Sequence, residues 1–108
     1  MKLAILITSR NRPERVEQLV TKIAESISLP HDVFVAECGS ETRSFSRHAT
    51  VWFDDPGHRD DIRGFALALE AARKRGPYDY FWCLTDEVTF NGDTDVALGL
   101  ISELERRP

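Results

Sequence analysis

The chain has 108 residues, of which 42% are hydrophobic and 30% charged, with only 6 Gly and 5 Pro. This excludes a fibrous or disordered polypeptide and fits one globular domain with a modest core. A net charge of −4 excludes a broad grip on nucleic acid or an anionic membrane, since either needs clustered Lys and Arg to neutralise phosphates. No run approaches the roughly 18 apolar residues of a membrane span, and the opening Met1 to Ile7 is too short and strand-like for a signal peptide, so a cytoplasmic location is expected.

The predicted elements alternate strand and helix. Leu3 to Thr8 is an apolar run that reads as the first strand. Asn11-Arg12-Pro13-Glu14 then carries a helix-start signal: Asn11 as the expected cap, Pro in the first turn where a missing N–H costs nothing, and Glu three residues after the cap. Val16, Leu19, Val20, Ile23 and Ile27 follow at helical spacing and form one apolar face. After Pro30, Asp32 to Glu37 reads as the second strand, which leaves into the loop Cys38 to Thr42. Thr50 to Phe53 is a short third strand, stopped by Asp54-Asp55-Pro56-Gly57.

The polar segment His58 to Arg63 reads as a mobile connection, with a second helix starting near Asp61 or Ile62 and running to about Arg75. Phe65, Ala68, Leu69 and Ala72 lie on its buried face, and Gly76-Pro77 ends it. Tyr78 to Thr85 is the fourth strand. Its continuous apolar run Tyr80 to Leu84 reads as covered on both faces. Thr94 or Asp93 is expected to cap a last helix carrying Val96, Ala97, Leu100, Ile101 and Leu104. Cys38 and Cys83 lack CxxC spacing and read as reduced packing residues, and His31, His48 and His58 form no zinc-ligand pattern.

This order predicts an α/β fold, a Rossmann-like three-layer sandwich around a small, mainly parallel sheet. Right-handed crossovers leave few strand orders, and 3-2-1-4 is the expected one. It makes the gap between strands one and four a switch point, where ligands of open α/β sheets sit. There Thr8-Ser9-Arg10-Asn11 would meet Asp86-Glu87, the two acids that end the fourth strand. Two readings of that pair stand: a solvated turn, or a group suited to a divalent cation, a ribose hydroxyl or proton transfer. The first helix would offer free N–H groups beside Arg10 and Arg12, which suits a phosphate, and Arg63 could reach the same space. Mg²⁺ or Mn²⁺ fits Asp86 and Glu87, because these ions take one or two carboxylates plus phosphate oxygens and waters. No GxGxxG, GxxxxGK[ST] or GxSxG is present. A phosphoacceptor receiver domain would need acids where Thr8-Ser9 stands.

Four segments together resemble the nucleotide-binding half of a family 2, inverting-type glycosyltransferase of the GT-A fold. Ile5-Leu6-Ile7-Thr8-Ser9-Arg10-Asn11-Arg12-Pro13-Glu14 is similar to the family's strand-one signature, which touches the nucleotide. Val33 to Ser40 resembles the second strand, which ends in residues that bind the base, with Cys38 standing where a hydrogen-bond acceptor is expected. Arg63 to Ala72 is similar to a third segment whose Arg holds the base in some members. Tyr78 to Val88 resembles the strand entering the DxD motif, with Thr85 and Glu87 replacing its two aspartates.

The resemblance implies a single GT-A-like domain that binds a nucleoside-diphosphate sugar, with Thr8, Ser9, Arg10, Glu37, Arg63 and Asp86 around the nucleotide. Asp86 and Glu87 would hold Mg²⁺ or Mn²⁺. The family's acceptor half and its catalytic base follow the DxD strand, and the short stretch after Glu87 has no counterpart to them. Transfer of the sugar to an acceptor hydroxyl, a catalytically inactive binding or oligomerisation module, and a fragment of a longer transferase are therefore all open. A homodimer is the assembly that would cover apolar surface left by a missing half.

Overall fold

A computed structural model describes residues 2–53, 61–88 and 96–106. The elements run β1 (Leu3–Ser9), α1 (Pro13–Ser26), β2 (His31–Cys38), a 3-10 turn (Thr42–Ser44), β3 (Ala49–Phe53), α2 (Asp61–Arg75), β4 (Tyr80–Thr85) and α3 (Val96–Glu105). The four strands form one sheet in the order β3-β2-β1-β4, and every pairing is parallel. The fold is thus α/β with a small parallel sheet, compatible with a Rossmann-like architecture, and the strand order is the one expected.

Alternation along the strands sorts the core into two halves. Leu3, Ile5, Ile7, Val35 and Leu84 pack with Val16, Leu19, Ile23 and Ile27 on the α1 side. Ala4, Leu6, Phe34, Ala36, Cys38 and Phe53 pack with Ala68 and Ala72 on the α2 side. The helices lie on opposite faces because β1-α1-β2 and β3-α2-β4 cross the sheet in opposite directions, and a right-handed crossover then puts each helix on its own side. As expected, Phe65 and Leu69 also pack against the α2-side core.

Several local expectations change. α2 spans Asp61–Arg75, as the expected helix start near Asp61 or Ile62 has it, so Asp61 to Arg63 form its first turn rather than the end of a mobile connection; His58 lies outside the described residues, as do Asp93 and Thr94. Asn11 does not cap α1. Arg12 holds the cap position, with φ −134° and no side-chain cap bond, and Pro13 opens the helix. Asn11 instead sits at φ 53°, a left-handed conformation that Asn tolerates better than most residues. Its side chain is used elsewhere, as described below.

β4 is not covered on both faces. Tyr80, Trp82 and Leu84 meet the α1-side core, but Phe81 is 41% exposed and Cys83 is exposed. The reason lies in α2, which packs chiefly over β1, β2 and β3 and barely reaches β4. Of the two free cysteines, Cys38 is a packing residue and Cys83 is not. No helix among the described residues is long and apolar enough to cross a membrane.

Candidate functional site

The carboxyl ends of β1, β2 and β4 carry five of the buried polar side chains: Thr8, Ser9, Glu37, Ser40 and Asp86. The ladder positions them. Ser9 pairs with Glu37, and Thr8 pairs with both Ala36 and Thr85. The Asp86 N–H donates to the Thr8 carbonyl at 3.1 Å, which carries the β1–β4 ladder one residue beyond the strand. Asp86 and Ser9, 77 residues apart in sequence, meet as the Ser9 hydroxyl donates to Asp86 Oδ2 at 3.0 Å.

Glu37 lies on the same side as Ser9 and is 1% exposed. Ser40 Oγ donates to its Oε1 at 2.7 Å, and the Ser46 N–H approaches Oε2 at 3.4 Å. Burial pushes the Glu37 carboxyl above its usual range; these two hydrogen bonds pull the other way, and the nearby charge of Asp86 adds to the rise. Two acids thus share one buried corner beneath the start of α1.

Arg12 brings positive charge to that corner. Its Nη1 lies 3.2 Å from Glu87 Oε1 and 3.8 Å from Asp86 Oδ1. The Asp86 side chain is wholly buried, whereas those of Glu87 and Arg12 are 60% and 41% exposed. The β1–α1 turn that carries Arg12 is fastened to the exit of β2. The Asn11 N–H donates to Ser40 Oγ at 3.0 Å, and the Glu41 N–H donates to Asn11 Oδ1 at 2.8 Å. Ser40 therefore links Asn11 to Glu37, and the left-handed Asn11 is what turns its amide toward β2.

The expected site residues divide between the two faces of the sheet. Ser9, Glu37 and Asp86 come together on the α1 side, with Glu87 at the rim. Thr8 points to the α2 side, where its methyl lies under Gly64: a Cβ built on Gly64 would stand 2.9 Å from Thr8 Cγ2 and 2.5 Å from Cys38 Sγ. Only glycine lets α2 approach so closely. The Thr8 hydroxyl is buried with no hydrogen-bond partner among the described residues. Arg63 also stands on the α2 side, its guanidinium 4.3 Å from the centre of the Phe53 ring. Arg10 is half-buried in the turn after β1.

Sequence reading missed Ser40 and Ser46 as partners of Glu37 and Asn11 as the residue that ties its turn to Ser40 and Glu41. The signal for Ser40 was its place in Cys38-Gly39-Ser40, directly after the strand that carries Glu37; Gly39 takes φ 73° there. Ser46 had no local signal, because its contact depends on how the 3-10 turn folds back. An open groove on the same face, between the first turns of α1 and the segment Ser46-Arg47, is lined by Pro13, Glu14, Glu17 and Gln18. Its rim is tied by Glu17, which accepts from Arg47 Nη2 at 2.6 Å and lies 2.8 Å from His48 Nε2.

The donor set at Asp86 and Glu87 suits a hard cation. One cationic group, Arg12, already contacts both carboxylates, so their oxygens converge on one region. Among the described residues no three His, Cys, Asp or Glu side chains gather into a metal cage, and an ion there would complete its shell from phosphate and water, as Mg²⁺ commonly does. Comparison with protein families, with curated proteins and with solved structures finds no match. The chain is defined by its own architecture: a parallel α/β domain with two buried acids at the switch point of its sheet.

Proposed function

We propose that the crevice between β1 and β4 binds a nucleoside-diphosphate sugar together with Mg²⁺ or Mn²⁺, as the resemblance to GT-A glycosyltransferases implies. The observation that carries this reading is the Ser9–Asp86 contact at the switch point, with Glu87 and Arg12 at its mouth. Ligands of open parallel sheets sit at such places, and carboxylates there accept from ribose or base N–H and O–H groups. Asp86 and Glu87 would hold the cation, which supplies Lewis-acid stabilisation of a departing diphosphate. Glu37 and Ser9 would orient the nucleoside, and Arg10 with the first turn of α1 would face phosphate. The side chains of Thr8 and Arg63 lie on the α2 side of the sheet; Thr8 would support the site through its carbonyl, which holds the Asp86 N–H, and Arg63 is assigned the outer part of the nucleotide.

If transfer occurs, the acceptor oxygen bonds to the anomeric carbon as the bond to the diphosphate breaks, and the acceptor proton passes to a base that this reading does not assign. Calorimetric titration of UDP and GDP with and without Mn²⁺ tests the proposal. Metal-dependent binding is expected, and Glu87→Ala should remove the metal-dependent gain without lowering the melting temperature, since Glu87 is an exposed rim residue. Failure of a folded sample to bind either nucleotide overturns it.

A second reading, a non-catalytic binding or oligomerisation module, is favoured by the exposure of Trp52 and Phe81, 58% and 41%, on the two edge strands. It expects a homodimer. A strictly monomeric mass in solution across micromolar concentrations excludes that assembly.

A further inference from the structure

The guanidinium of Arg12 stands where a cation shared by Asp86 and Glu87 would stand. Asp86 Oδ2 is taken by the Ser9 hydroxyl, and Oδ1 is the oxygen turned toward Arg12 Nη1, 3.8 Å away, with Glu87 Oε1 3.2 Å from the same nitrogen. A divalent ion and a guanidinium cannot both occupy that space, because like charges a few ångströms apart repel strongly in a partly buried corner. Whichever is present neutralises the pair and excludes the other.

Arg12 is built to leave. Its backbone is fixed: its carbonyl accepts the first helical bond of α1, from the Val16 N–H at 3.2 Å, and the preceding Asn11 is tied to Ser40 and Glu41. Its side chain caps nothing and is 41% exposed, so the head can swing about a fixed pivot without unfolding the helix. The place it would swing to is the mouth of α1, where the unbonded N–H groups of the first turn and the helix dipole already favour a phosphate.

Resting on the nucleotide-sugar reading above, we infer that Arg12 is an exchangeable internal cation: it guards the two carboxylates in the ligand-free protein, is displaced by the divalent ion, and is thereby released to the diphosphate. Metal and diphosphate then help each other beyond direct contact between them. A metal at the carboxylates frees the guanidinium for phosphate, and a diphosphate that captures the guanidinium empties the carboxylates for metal. Linkage requires the two effects to be equal in binding free energy. Arg12 is a positioning residue in this scheme before it is a phosphate ligand.

The test is Mn²⁺ affinity measured calorimetrically, with no nucleotide present, for the unmodified protein, Arg12→Gln and Arg12→Lys. Losing the competitor should tighten Mn²⁺ binding about fivefold in the Gln variant, the scale of a half-exposed ion pair. The same variant should bind UDP in the presence of Mn²⁺ more weakly than the unmodified protein. A Gln variant that binds Mn²⁺ no more tightly than the unmodified protein overturns the exchange and leaves the metal site standing. No Mn²⁺ binding by either protein removes the metal site and the exchange together. Should the Gln variant lose its cooperative melt, the Lys variant carries the test. Its ammonium is more strongly hydrated than a guanidinium and guards the partly buried pair less well, so a gain of about twofold is expected, and no gain overturns the exchange.

Discussion

Asp32 and Glu37 stand on the same strand, five positions apart, and their surroundings push them in opposite directions. At the amino end of β2, the Tyr78 hydroxyl donates to Asp32 at 2.6 Å and Lys2 Nζ lies 3.1 Å away. Those two hydrogen bonds hold the Asp32 carboxyl below its usual range, while burial and the bond to Asp32 push the Tyr78 hydroxyl up to about 12. At the carboxyl end, Glu37 is held above its usual range by burial, with Asp86 adding repulsion. The amino end has a cation for its acid. The carboxyl end buries two acids, with Arg12 at its rim. One end thus meets its acid with direct hydrogen bonds and a cation, the other with burial and a neighbouring acid.

The most damaging way to break the carboxyl end is to push α2 off it. Gly64→Val would force side-chain atoms onto Cys38 Sγ and Thr8 Cγ2, since even a Cβ comes within 2.5 and 2.9 Å of them. A loss of about 3 kcal/mol is expected in denaturant unfolding. Adding Cys38→Ala should recover part of it, and a double-mutant cycle with no coupling would show that the close approach is not the cause.

A smaller effect is expected at the turn that carries Arg12. Asn11→Ala loses the Glu41 contact and places Ala at φ 53°, for a cost of about 2 kcal/mol. Asn11→Gly keeps the backbone and loses only the bond, so about half that cost is expected. Equal losses would mean that backbone strain plays no part.

The smallest effects sharpen the contrast between the two acids and are read from stability against pH. Glu37 binds its proton more tightly folded than unfolded, so its contribution is full at low pH and is lost as pH rises from the usual glutamate range through its raised folded value. Glu37→Gln should flatten that fall. Asp32 behaves inversely: its contribution is present above the usual aspartate range and is lost on acidification through its lowered folded value. Asp32→Asn should flatten that loss, and Tyr78→Phe should cost about 1 kcal/mol at neutral pH. Slopes of the same sign for the two acids would erase the comparison.

The strand order was legible because alternating elements and right-handed crossovers leave few arrangements, and the switch point followed from it. The meeting of Ser9 with Asp86 was legible for the same reason. The division of the expected site residues was also written in the chain. Period two puts Thr8 and Ser9, or Glu37 and Cys38, on opposite faces. Reading them as one cluster ignored that alternation. Other features were not legible. Asn11 matched the capping pattern, and its true partner, the Glu41 N–H, is 30 residues away. The open face of β4 was hidden because an apolar run does not say which helix covers it. Here α2 packs over the middle of the sheet, since Gly64 seats it against β1 and β2.

The irregularity in the β2–β3 pairing bears on how this chain can change. Val35 pairs with Ala49 while the next residue, Ala36, pairs with Val51. Thr50 is thereby skipped, and its hydroxyl accepts from the Val35 N–H at 3.1 Å. That one surplus residue sets Phe53 opposite Cys38, beneath the Arg63 guanidinium, and leaves Trp52 outward. Excising Thr50 would leave these pairs in place, whereas a regular ladder that kept it would set Trp52 opposite Cys38 and carry Phe53 past the end of β2. Along this edge the skip at Thr50 decides which aromatic ring is inside, so the chain can lose that one residue and keep its interior, but cannot straighten the strand around it.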